Sequence, residues 1–144
     1  MKKYIAECIG TMFLVLLACG SAVLAGPKIG VLGIGLCFGL VLLCLVYCIG
    51  NISGCHVNPA VSFAMLLTGR MRFGEFCGYV VAQLLGAAIG AGFLYWCVSM
   101  APGFEFGGIT GDCNLATNVI QPGANSGMAL VVECLFTFFF VLVV

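Results

Sequence analysis

Charge is what this sequence has least of: five Lys or Arg and five Asp or Glu in 144 residues, 7% in all, against about 25% in an ordinary soluble domain. That scarcity excludes a soluble enzyme. The basic residues (Lys2, Lys3, Lys28, Arg70, Arg72) and the acidic ones (Glu7, Glu75, Glu105, Asp112, Glu133) balance to zero net charge. There is thus neither the basic footprint that nucleic acid requires nor a polybasic patch for a membrane surface. Histidine occurs once, as His56, and no basic neighbour promotes a thiolate, so a Cys/His metal site has little support and no metal or other cofactor is expected. Cysteine is plentiful at ten residues, yet no Cys-x-x-Cys pair occurs. Cys8, Cys19, Cys37, Cys44, Cys48, Cys77, Cys97 and Cys134 all lie in apolar runs and read as small hydrophobes rather than a disulfide framework.

What the sequence does have is long uncharged apolar runs. No Asp, Glu, Lys or Arg falls in 8–27, 29–69, 76–104 or 113–132, and about 20 apolar residues suffice for a helix to cross a bilayer. The runs predict spans over about 4–25, 31–49 and 76–98, a polar outer loop over 101–127, and a fourth span beginning at 128 and still running at Val144. Gly26-Pro27-Lys28 marks the first turn. Residues 50–68 form a broken loop followed by an apolar run, Ala60 to Leu67, too short to span. Lys2, Lys3, Arg70 and Arg72 fall on one side and only Lys28 on the other, so the positive-inside rule puts the N-terminus in the cytoplasm of a multi-pass protein of the cell membrane. The Asn51-Ile52-Ser53 glycosylation pattern is silent on that side. Lys2-Lys3 before an apolar run, with Leu16-Leu17-Ala18-Cys19, resembles a lipoprotein signal, but Glu7 and three further spans weigh against it.

An internal repeat is the most informative feature. Glu7-Cys8-Ile9-Gly10-Thr11-Met12-Phe13-Leu14-Val15-Leu16 matches Glu133-Cys134-Leu135-Phe136-Thr137-Phe138-Phe139-Phe140-Val141-Leu142 at six of ten positions, 126 residues apart. Three spans separate the copies, so the second enters from the opposite face, as in the inverted repeats of transport proteins. The chain therefore reads as a first repeat, 1–127, and the start of a second, 128–144. Equal copies imply a complete length of about 230 residues.

Irregular backbone at membrane depth survives only where it is buried in protein or lines a water-filled cavity. Gly54, Cys55, His56 and Val57 thus predict a cavity wall, with extended carbonyls forming a ladder of acceptors. Asn58 suits an N-cap and Pro59 a first helical turn. A short helix starting there offers a partial positive end and the donors of the Asn58 amide, which orient a small neutral solute and penalise cations.

The segment Ser53-Gly54-Cys55-His56-Val57-Asn58-Pro59-Ala60-Val61 resembles the first Asn-Pro-Ala box of the aquaporin and glycerol-facilitator (major intrinsic protein) family. Ala6-Glu7-Cys8-Ile9-Gly10-Thr11, Phe38-Gly39-Leu40, Gly78-Tyr79-Val80-Val81-Ala82-Gln83 and Val132-Glu133 resemble its first four helices, and the likeness is to the water-selective bacterial members. The resemblance implies an all-α membrane protein with an inverted-repeat bundle of six tilted helices and two re-entrant half-helices. It also implies one pore per subunit and homotetramers.

By the same resemblance Asn58, Pro59 and Ala60 belong to the pore, Phe38 to the outer constriction, and Glu7 and Glu133 each brace a broken loop. Water, or a small neutral solute such as glycerol, is the permeant, and no enzymatic activity is expected. Cys55 stands where the family has Gly or Ala, which predicts a thiol near the pore. The second Asn-Pro-Ala box and the constriction arginine would follow Val144, so the chain is not expected to conduct alone. Two other classes accommodate four apolar spans: a proton-coupled multidrug exporter using Glu7, and a membrane thiol oxidoreductase using a pair such as Cys44 and Cys48. The first leaves the Asn58-Pro59 loop without a purpose, and the second wants an accessible, activated pair, whereas Cys44 and Cys48 are expected mid-span or near the cytoplasmic end, in a reducing compartment.

Overall fold

The computed structural model describes residues 1–100, 115–116, 120, 123 and 125–143; most of the expected outer loop, with Glu105, Asp112 and Cys113, lies outside them. The elements are α1 (Lys2–Phe13), a π-helical stretch (Leu14–Cys19), α2 (Gly20–Ser53), α3 (Pro59–Leu67), α4 (Phe73–Ser99) and α5 (Ser126–Val143). No strand occurs among the described residues. Three helical runs are long and apolar enough to cross a membrane: Lys2–Ser53, Phe73–Ser99 and Ser126–Val143.

The first run makes two crossings, because the chain reverses at Gly30, which has φ 63° and ψ −178° inside α2. The expected turn at Gly26-Pro27-Lys28 is therefore displaced by a few residues. Pro27 removes one helical hydrogen bond, but its fixed φ is itself helical, whereas a reversal needs a conformation that glycine alone adopts cheaply. The two arms pack antiparallel. A Cβ on Gly10 would meet Ile49, and one on Gly26 would meet Ile34. Between them Leu45, Cys55 and Val57 form an apolar cluster with Leu14, Val41, Leu42 and Ile49.

The first crossing and α4 run parallel, as their contacts climb together. Lys3 pairs with Glu75, Tyr4 sits edge-on to Tyr79 with ring centroids 5.7 Å apart, and Leu16 packs near Leu94 in a cluster with Val23 and Val98. Between these levels a Cβ on Gly86 would lie 2.1 Å from the Cys8 carbonyl oxygen, and one on Gly90 2.6 Å from that of Met12. Gly86 and Gly90 thus let the two backbones touch, the device by which membrane helices gain packing where lipid provides no hydrophobic drive. The same spacing of glycines at Gly35 and Gly39 has no atom within 4 Å of either position, so it makes no such contact among the described residues.

The second crossing returns the chain between these parallel spans, and α3 adds a segment too short to cross. Its nine residues rise about 13.5 Å, roughly half of a 30 Å hydrocarbon core. Outside the bundle the faces are apolar, with Leu24, Leu36, Leu40, Leu84 and Ile89 all exposed, whereas Glu7, Thr11, Ser53, His56, Ser62 and Gln83 are buried. Apolar outside and polar inside is the arrangement of a multi-pass protein in lipid.

Candidate functional site

The site is built around the junction of α2 and α3. Helical geometry persists through Asn51, Ile52 and Ser53, one turn past the expected start of the loop, and breaks at Gly54 with φ 85°. Cys55 (φ 52°) and Val57 (φ 40°) follow in the left-handed region, so the segment is a tight coil rather than the extended ladder read from sequence. Such conformations cost about 1–3 kcal/mol each for residues bearing a Cβ, and persist only where the surroundings hold them.

Glu7 holds this loop. Its Oε1 accepts from the Ser53 hydroxyl at 2.6 Å and the His56 N–H at 2.9 Å, and its Oε2 accepts from the Val57 N–H at 2.7 Å and Gln83 Nε2 at 2.7 Å. Four donors and no other acceptor meet a side chain with no exposed surface. Hydrogen bonds to a charged group contribute about 1.5–3 kcal/mol each, enough to offset the strain at Val57. The Ser53 hydroxyl also accepts from the Cys55 N–H at 3.1 Å, and Tyr79 Oη donates to the Ser53 carbonyl at 2.7 Å. One carboxylate on the first crossing and one phenol on α4 thereby terminate α2 and shape the turn.

Asn58, extended at φ −152° and ψ 126°, caps α3 by accepting the Ala60 N–H at 2.8 Å on Oδ1, with Pro59 in the first turn. A backbone N–H can only donate, so the Asn58 oxygen is turned into the helix and its two amide hydrogens are left for another partner. Among the described residues nothing donates to the carbonyls of Gly54, Cys55, His56 or Val57. The site therefore offers free acceptors along one short coil and free donors at its end. His56 meets Ser62 Oγ through Nδ1 at 3.0 Å and lies 5.0 Å, centroid to centroid, from the Tyr79 ring.

Other expected site residues lie elsewhere. Phe38 is exposed, on the part of the second crossing nearer the Gly30 reversal than the loop. Glu133 is exposed on α5 and lines an apolar groove with Ala60, Phe63, Cys134 and Thr137; it bonds to no loop donor among the described residues. The Cys55 thiol is 3% exposed and packs among Leu45, Val57 and Leu14. Cys44 and Cys48 are exposed free thiols on successive turns of α2.

Ser53, Ser62, Tyr79 and Gln83 complete the network, and sequence reasoning gave none of them a role. A signal existed for one of them. Gln83 is the sole side-chain amide in the apolar run 76–98, and a buried amide without a partner is too costly to be incidental.

Comparison with known proteins agrees with this architecture. Residues 1–144 match the family model described as Major intrinsic protein. The chain is 41% identical to an Aquaporin Z of Bradyrhizobium diazoefficiens, with 100% of this chain and 61% of the relative covered. It is 40% identical to an Aquaporin Z of Brucella melitensis, covering 100% and 64%. For one of Rhodopseudomonas palustris the identity is 39%, covering 99% and 61%. The chain spans 61–64% of the length of these relatives. With its parallel first and third spans, its half-helix opened by Asn58-Pro59-Ala60 and a match along its whole length, this chain belongs to the major intrinsic protein family.

Proposed function

We propose that the protein to which this chain belongs is a passive membrane channel for water and small neutral solutes, with water the principal permeant. The observation that carries the reading is the state of Asn58: its oxygen accepts the Ala60 N–H, and among the described residues its amide hydrogens meet no acceptor. They stand at the N-terminal end of a half-helix next to carbonyls without donors. A neutral solute with both donor and acceptor character is matched by that pair. A cation meets the positive end of the α3 dipole, worth about half an elementary charge.

In this reading Asn58, Pro59 and Ala60 line the pore, and Gly54, Cys55, His56 and Val57 contribute backbone acceptors. Phe38 narrows the outer constriction. Glu7 braces this loop, and Glu133, at the matching place of the repeat, braces a second one. The protein sits in the cell membrane with its N-terminus in the cytoplasm, as Lys2, Lys3, Arg70 and Arg72 direct, and assembles as a homotetramer. It is a channel and not an enzyme. The exporter reading loses its cation site, since both Glu7 oxygens are taken by internal donors.

The test is stopped-flow osmotic shrinkage of proteoliposomes holding the protein at its native length, compared with Asn58→Asp. The substitution replaces the two donors by an anionic acceptor. Water flux is expected to fall and exclusion of monovalent cations to weaken; unchanged water flux and unchanged ion exclusion would refute the role given to Asn58.

A further inference from the structure

The buried polar chain from Gln83 to His56 has a direction that chemistry alone determines. Carboxylate oxygens only accept, so the Gln83 nitrogen must face Glu7 Oε2, which it meets at 2.7 Å. The same nitrogen lies 3.1 Å from Ser62 Oγ, and its second hydrogen goes there. The amide cannot be reversed, because Oε1 would then confront the carboxylate. Oε1 is accordingly the end left without a donor, in a side chain 1% exposed.

Ser62 receives the Gln83 hydrogen and has one of its own to give. Two acceptors are within reach: His56 Nδ1 at 3.0 Å and the Asn58 carbonyl at 3.3 Å. The carbonyl already takes the Ser62 N–H at 3.1 Å, and 3.3 Å is long for a hydroxyl donor, whose hydrogen bonds cluster at about 2.5–3.0 Å. Nδ1 is the better acceptor, and an imidazole nitrogen that accepts carries no hydrogen.

We propose that Gln83 is a positioning residue of the loop: the donor chain Gln83 to Ser62 to His56 selects the tautomer of His56 that carries its hydrogen on Nε2. His56 then presents a fixed donor edge. Nε2 lies over Gly54, where an added Cβ would come within 3.3 Å of it, while the Tyr79 ring packs against the imidazole at a tilt of 52°. Gln83 thus links α4 to both halves of the site, to the loop through Glu7 and to the first turns of α3 through Ser62. Its importance for permeation rests on the channel reading above; the tautomer does not.

His56 is the single histidine of the chain, so one 15N-histidine label reports it alone. The full chain in lipid bilayers, at a pH where the ring is neutral, is expected to show a protonated-type 15N shift for Nε2 and an unprotonated-type shift for Nδ1. The reverse pattern, or an equal mixture, overturns the proposal. Ser62→Ala removes the donor to Nδ1, and Gln83→Met cannot donate to Ser62, leaving its hydroxyl free to accept from the ring. Each is expected to move the tautomer ratio toward the Nδ1–H form by roughly two- to tenfold, the effect of one hydrogen bond. An unchanged ratio in folded Gln83→Met overturns the part assigned to Gln83; should that variant fail to fold, the wild-type spectrum and Ser62→Ala decide. Absence of water flux in the protein at its native length would count against the channel reading and leave the tautomer result standing, so the two failures are separable.

Discussion

Replacing Glu7 by Gln tests whether one carboxylate organises the whole loop. The change is nearly isosteric, but it converts one of two acceptor oxygens into an NH2 group. Whichever way the amide turns, one backbone N–H, which can only donate, loses its acceptor and faces another donor: that of His56 or that of Val57. The Ser53 hydroxyl and the Gln83 amide can each turn an acceptor toward the new NH2 group. A hydrogen bond to charge contributes about 1.5–3 kcal/mol, so the loop is destabilised by about that much relative to the rest of the bundle. The strain at Val57, with φ 40°, is then no longer offset.

Hydrogen exchange of the His56 and Val57 amides in the folded protein reads this directly. At about 1.4 kcal/mol per tenfold, protection is expected to fall by roughly ten- to a hundredfold. The amides of α4 around Leu94, 1% exposed and in a separate cluster, should keep theirs. Equal protection at His56 and Val57 in both proteins would refute the idea that Glu7 holds the loop, and a uniform loss across the bundle would mean that it stabilises the fold at large.

Three further outcomes are expected. Gly86→Ala puts a Cβ 2.1 Å from the Cys8 carbonyl oxygen, a clash with backbone that should lower stability in detergent by about 1–3 kcal/mol or more; a wild-type melting temperature would show that the first crossing and α4 do not meet as described. Cys55, 3% exposed, should react with a small mercurial far more slowly than exposed Cys44 and Cys48, and mass mapping after a brief exposure with Cys55 modified first would contradict its burial. Phe38→Ala should raise glycerol flux relative to water in proteoliposomes of the protein at its native length, and an unchanged ratio would remove Phe38 from the constriction.

Much of the architecture was legible in the sequence because a bilayer imposes a simple rule. Uncharged runs must be helices long enough to cross, and a polar break between them must be buried or wetted. The charge gaps and the succession Gly54 to Pro59 therefore pointed to long apolar helices, a short helix after the break and its Asn58 cap from composition and spacing alone. Asn58 before Pro59 is a cap in any surroundings, because both effects act within a few residues.

Tertiary structure decided whatever depends on which groups meet. The first reversal fell at Gly30 rather than Gly26-Pro27, because a turn between packed helices must match the contacts of both arms. Gly86 and Gly90 became a close contact while Gly35 and Gly39 did not, although the spacing is the same, because only the first pair faces another backbone. The loop coiled through the left-handed region instead of extending, since a carboxylate 50 residues away in sequence accepts the Val57 N–H. That same coil buried the Cys55 thiol. Local sequence carries propensity and period; the partners of Glu7 and Gln83 are set by the packing of three helices, and no window of sequence contains all three.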